Sequence, residues 1–93
     1  MNISKKDHEY SKLIEDLVII SLNNSTSIGK LVKADYEHIE LSPFLIYDNI
    51  NKKYHEIKNK PEIINYQAIQ KIQPITAEIY EILKNYSEKN TKQ

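Results

Sequence analysis

Glycine occurs once in these 93 residues, at position 29. A residue without a Cβ is needed where a strand bends sharply or where another backbone comes close, so a single glycine marks such a place. It opens the stretch Gly29-Lys30-Leu31-Val32-Lys33-Ala34-Asp35-Tyr36-Glu37-His38-Ile39-Glu40-Leu41, whose apolar residues alternate with polar ones on either side of a short polar turn. That pattern predicts two bent strands joined at Asp35, and hence a strongly curved small sheet.

The length allows one small domain and no second. Hydrophobic residues make up 40% of the chain, enough for a core, and the absence of cysteine excludes both disulfides and cysteine-ligated zinc. The early residues are polar and no apolar run approaches the roughly 18 residues of a membrane span, so neither a signal peptide nor a membrane segment is expected. A cytoplasmic protein is the corresponding expectation.

Ser4 can cap a helix with Asp7 three residues on, and Tyr10, Leu13, Ile14 and Leu17 follow at helical spacing, which predicts a helix over residues 4–16. Strands are expected at 17–22, 28–34, 37–47, 63–69 and 71–75, with Pro43 at a bend or edge of the third. Residues 51–61 carry Lys52, Lys53, Lys58 and Lys60 against Glu56 and read as a basic, poorly ordered loop or short irregular hairpin. Thr76 can cap a C-terminal helix over 76–88 with Ile79, Ile82, Leu83 and Tyr86 on one face, and 89–93 should fray. The expectation is one α+β domain: a helix, a five-stranded small β-barrel over 17–75 and a second helix. That second helix should cover its own barrel in preference to a partner.

The spacing from Gly29 to Asp35 and on through Leu41, followed by Asn65-Tyr66-Gln67-Ala68-Ile69-Gln70-Lys71-Ile72-Gln73-Pro74, resembles the two motifs of Sm-like proteins, nearest to the bacterial Hfq branch. The similarity spans about residues 4–75, and its specific matches cover about a quarter of the chain. Ala68, Ile69, Ile72 and Pro74 fit the frame of the second motif, while Asn65, Tyr66 and Gln67 stand where Hfq has tyrosine, lysine and histidine. The C-terminal helix also departs from the Hfq pattern. The resemblance implies five strongly bent antiparallel strands, assembly into a hexameric or heptameric ring, and binding of single-stranded RNA. It places a base-stacking pocket at Tyr36, His38 and Tyr66, with Asn65 and Gln67 available to base edges and Lys52 and Lys53 to phosphates.

The residues themselves admit plainer roles. Tyr36 and Tyr66 serve equally as strand aromatics packed on neighbouring strands, and a lysine-rich loop is commonly just solvated. Asp35 suits a structural acceptor for backbone N–H groups better than a catalytic acid. Thirteen lysines balance thirteen acids and arginine is absent, which removes the basic surplus and the bidentate side chain that phosphate recognition favours. His38 and Glu40 share a strand face but have no third ligand for a metal. No cofactor is implied, and no glycine-rich phosphate loop or nucleophile elbow can be built from one glycine, so an enzyme is not expected. Two readings follow: a ring binding single-stranded RNA, or a small-barrel module for protein assembly that has lost RNA binding.

Overall fold

Alternating apolar residues build six antiparallel strands and one helix in a computed structural model that describes residues 10–86. The strands are β1 (Leu17–Ser21), β2 (Thr26–Ala34), β3 (His38–Asp48), β4 (Lys53–Ile57), β5 (Glu62–Asn65) and β6 (Lys71–Pro74). A single 3-10 turn, Tyr66–Ala68, joins β5 to β6, and α1 (Ala77–Lys84) follows. The sheet runs β4-β3-β2-β1-β6, with β5 also paired to β3.

Strand β3 is long enough to hold two partners in turn. Its first half pairs with β5, from His38 opposite Asn65 to Leu41 opposite Glu62, and its second half with β4, from Phe44 opposite Ile57 to Asp48 opposite Lys53. Pro43 stands at the break, where a residue without an N–H interrupts no ladder bond. On the other side of β3, the pairing with β2 shifts register twice between Gly29 and Lys33. These irregularities curve the sheet.

Curvature separates two apolar layers. The inner face gathers Val18, Ile20, Leu31, Ile39, Leu41, Phe44, Ile64 and Tyr66. The outer face carries Ile28 and Leu45, which α1 covers with Tyr80, while Leu17, Ile19, Tyr54, Ile75 and Leu83 pack around them. Thr76 caps α1 by accepting the Ile79 N–H at 3.1 Å, and the Tyr80 hydroxyl donates to Glu56 Oε2 on β4 at 2.9 Å. The helix thus completes its own domain, as amphipathic helices of small domains generally do.

Four expectations need correction. The small barrel is an open sheet of six strands, because residues expected in a basic loop form β4: Tyr54 and Glu56 face α1 while the lysines point away from the core. The expected strand over 63–69 ends at Asn65 and gives way to the 3-10 turn. Of the N-terminal helix, residues 4–9 lie outside the described residues, Tyr10 and Ser11 are helical as expected, and from Lys12 onward the chain makes tight turns in which Leu13 N and Asp16 N each reach back three residues. Glu15 takes a left-handed φ of 81°, while Glu15 N and Leu31 N bond across to Leu31 O and Asp16 O at 2.7 and 2.9 Å. Pairing with β2 therefore replaces helical bonds there. Finally, α1 presents Tyr80 and Leu83 inward, so Ile79 and Ile82 of the expected apolar face stay 44% and 62% exposed.

One polar contact crosses the inner layer. Glu62 points inward beside Ser27, whose hydroxyl donates to Glu62 Oε2 at 3.2 Å, while Glu62 Oε1 is buried without a hydrogen-bond partner among the described residues. Burial raises the Glu62 carboxyl above its ordinary range. An unfolded chain therefore releases this proton at lower pH than the folded one, and stability falls as pH climbs through the ordinary value to the raised folded value, then levels. Glu62→Gln should melt higher than the parent at neutral pH, with the gap closing near about pH 4, where both states hold the proton. Thermal melts at the two pH values check this, and an equal gap at both would refute it.

Candidate functional site

The Asp35–His38 turn is built by its own side chain. Asp35 Oδ1 accepts from Glu37 N at 3.0 Å and His38 N at 3.1 Å, and Asp35 N donates to His38 O at 3.0 Å. These two backbone donors, Glu37 first, hold the carboxyl below its usual range. The loop closes tightly enough to leave Tyr36 at its apex, 69% exposed.

Tyr66 ties this turn to the core. Its N–H donates to Glu37 O at 3.0 Å, its hydroxyl donates to Asp35 O, and its ring lies 5.0 Å from that of Tyr10. At 6% exposure it has no open face on which a base could stack. The expected pairing of Tyr36 and Tyr66 in one stacking pocket is thus not formed within a single copy: one ring is outside, the other inside.

Carboxylates surround what remains. His38 Nε2 is 3.1 Å from Glu40 Oε2 and 3.4 Å from Asp35 Oδ2, and Lys33 Nζ is 3.9 Å from Glu40. Asn65 lies directly opposite His38, and Gln67 is exposed on the adjoining turn. Tyr36, His38, Asn65 and Gln67 are therefore gathered at one end of β3. Lys52 and Lys53 are at the other, beyond Asp48, on a hairpin fastened by Asp48 accepting from Ile50 N, Asn51 N and Asn51 Nδ2 at 2.9, 3.1 and 2.7 Å. His55 Nε2 adds a contact of 2.9 Å to Asp48, and that hydrogen bond foremost lowers the Asp48 carboxyl. The fold does not bring the predicted phosphate contacts to the predicted stacking residues.

Among the described residues, no group of three or more His, Asp or Glu could hold a metal ion, and no helix is long and apolar enough to cross a membrane. No protein-family model matches the chain, and no curated protein matches it.

Sequence reasoning missed the sheet edges. Tyr66 N bonds to Glu37 O, so by the alternation of antiparallel ladders Ile64 and Glu62 also bond toward β3, while Ile63 and Asn65 turn their N–H and C=O groups outward. Ile75 N bonds to Leu17 O at 2.8 Å, which by the same alternation points the backbone of Ile72 away from β1. The signal was the pair Ile63-Ile64: two adjacent isoleucines in a strand cannot both face one core.

Proposed function

We propose that this chain is a self-assembling β-module of Sm-like type, whose principal partner is another copy of itself joined head to tail through the sheet edges. One observation carries this reading: among the described residues, the sheet ends in two unlike unpaired edges, β6 on one side and β4 with β5 on the other. Unlike edges pair heterologously, and a heterologous contact with a rotation that closes yields a ring. The curvature of the sheet and the resemblance of the 29–41 and 65–74 stretches to the Sm-like motifs support closure at six or seven copies. Native mass spectrometry of the purified chain should give one dominant species of that size. A monomer at all accessible concentrations would overturn the proposal.

Single-stranded RNA is a second reading, favoured by the exposure of Tyr36 beside Asn65 and Gln67. Aromatic stacking is worth about 1–3 kcal/mol per base, so Tyr36→Ala should weaken binding of short oligo-A or oligo-U by about 5- to 150-fold. Lys52→Ala and Lys53→Ala, at the far end of β3, should weaken it less. Fluorescence anisotropy checks both, and unchanged binding by Tyr36→Ala would remove the base-stacking role. The carboxylates of Asp35, Glu37 and Glu40 around this end oppose phosphate, which is why assembly ranks ahead of RNA.

A further inference from the structure

We infer that the β3–β4 hairpin is an arm for duplex nucleic acid, its tip entering a groove while Lys52 and Lys53 meet the phosphates. The arm stands apart from the sheet edges and from the Tyr36 turn. It is built by strands of unequal reach. β2 stops pairing with β3 at Ile28 opposite Leu45, so Ile46, Tyr47 and Asp48 pair only with His55, Tyr54 and Lys53. A two-stranded ribbon of this kind is a known shape for entering duplex grooves. Its base is braced by the rings of Tyr47 and Tyr54, 5.0 Å apart, and by the packing of Tyr54 toward Tyr80 of α1. The part left to meet a ligand is the tip, where Asn49, Ile50, Asn51, Lys52 and Lys53 are all exposed.

Lys52 takes a φ of 59°, in the left-handed region that glycine and asparagine enter most cheaply. Asparagine stands at 49 and 51, yet the strained position holds a lysine. Residues strained in this way gather at ligand clamps and functional turns. Neither Lys52 nor Lys53 has a carboxylate within ion-pair distance among the described residues, whereas Lys30, Lys33, Lys58 and Lys84 are each paired. Asp48, opposite Lys53, spends its carboxylate on the turn and on His55. From Ile46 to Lys60, four lysines face two acids, while Asp35, Glu37 and Glu40 lie at the far end of β3. A chain of zero net charge therefore presents a local positive field at this tip.

The chemistry of the tip selects the partner. Ile50 is 85% exposed at the apex, between Asn49 and Asn51. In a bilayer these amides and the open backbone of the turn would lose their hydrogen bonds. In a groove, base edges and water keep them satisfied, and an isoleucine can wedge between base steps. Single strands are held by stacking on free aromatic faces, and the two tyrosines of the hairpin are engaged with each other. Lysine, a point charge without the fork of arginine, suits phosphate contacts that carry no sequence information.

The full chain is titrated into a short fluorescent DNA duplex of mixed sequence, with anisotropy read over a series of salt concentrations. The variants are the pair Lys52→Asn with Lys53→Ala, in which asparagine keeps the left-handed turn, and Ile50→Ala. The pair Lys12→Ala with Lys71→Ala removes the same charge from elsewhere, and circular dichroism confirms that each variant folds. Each phosphate neutralised contributes about 0.9 to the slope of log affinity against log salt, so the Lys52 and Lys53 pair should flatten that slope by about 2. The control pair should keep a slope near the parent's. Ile50→Ala should weaken binding a few-fold with the slope unchanged. A parent without salt-dependent duplex binding, a Lys52 and Lys53 pair no flatter than the control pair, or Ile50→Ala binding like the parent would overturn the arm. So would a chain that binds phosphatidylserine vesicles and leaves the duplex free.

Discussion

Gly29→Ala should be among the most damaging single substitutions in this domain, costing about 3 kcal/mol. A Cβ at this position would meet Pro43 O at 2.5 Å, Phe44 Cβ at 2.8 Å and Phe44 Cα at 3.0 Å. Two of these atoms are main chain, and the third is fixed by the backbone of the opposing strand, so no rotamer change relieves the overlap. Room has to come from separating β2 from β3 at the place where Gly29 pairs with Phe44. Glycine is not there for its backbone freedom, since no glycine in the chain has a positive φ; it is there for want of a side chain. For a domain of this size, 3 kcal/mol lowers the melting temperature by about 12–24 °C. Urea or thermal melts of Gly29→Ala beside Val32→Ala, an exposed control on the same strand, measure the difference. Two variants melting within a few degrees of each other would show that β2 and β3 can part cheaply.

The importance of Gly29 was legible because a lone glycine inside an alternating pattern has few explanations. Strands β1, β2, β3 and β6 were legible for a related reason: each shows its buried residues at every second position or as a short apolar run. Strand β4 was hidden because Lys52, Lys53 and Lys58 flank Tyr54, His55 and Glu56, and its half-buried Glu56 is met, besides Lys58, by Tyr80 and Lys84 far along the chain. No local pattern encodes such a contact. The inward face of α1 was misread on similar grounds, because hydrophobicity alone prefers Ile79 and Ile82 to Tyr80. Tyrosine is held inward by an apolar ring together with a hydroxyl that finds a carboxylate across the sheet. At the candidate site, the motif frame put Asp35, Tyr36 and Tyr66 in one neighbourhood, yet only the bonds from Tyr66 to Glu37 and Asp35 decide which tyrosine faces water. Those bonds join residues about thirty positions apart.

Tyr66 supplies the second large effect and bears directly on how function should be tested. Tyr66→Ala should cost about 3–5 kcal/mol, as expected for removal of a buried aromatic ring. Tyr66→Phe keeps the ring and its contact with Tyr10 but loses the hydroxyl that donates to Asp35 O, and should cost about 1 kcal/mol. The contrast separates packing from tethering, and chemical denaturation of the two variants measures it. If Tyr66→Ala melted like the parent, the ring would have to be an exposed binding surface after all. With the large loss, any fall in RNA binding or assembly by Tyr66→Ala reports a loosened Asp35–His38 turn and a destabilised core. Tyr66→Phe then becomes the informative variant: it preserves the aromatic face, so a stacking role predicts unchanged RNA binding, whereas a tethering role predicts a more mobile Tyr36 and weaker binding in proportion. Tyr36→Ala removes an exposed ring and leaves the core intact, so its effect on RNA can be read without a correction for unfolding. Comparing these two variants at one temperature, well below both melting points, distinguishes a tyrosine that touches a ligand from one that positions the tyrosine that does.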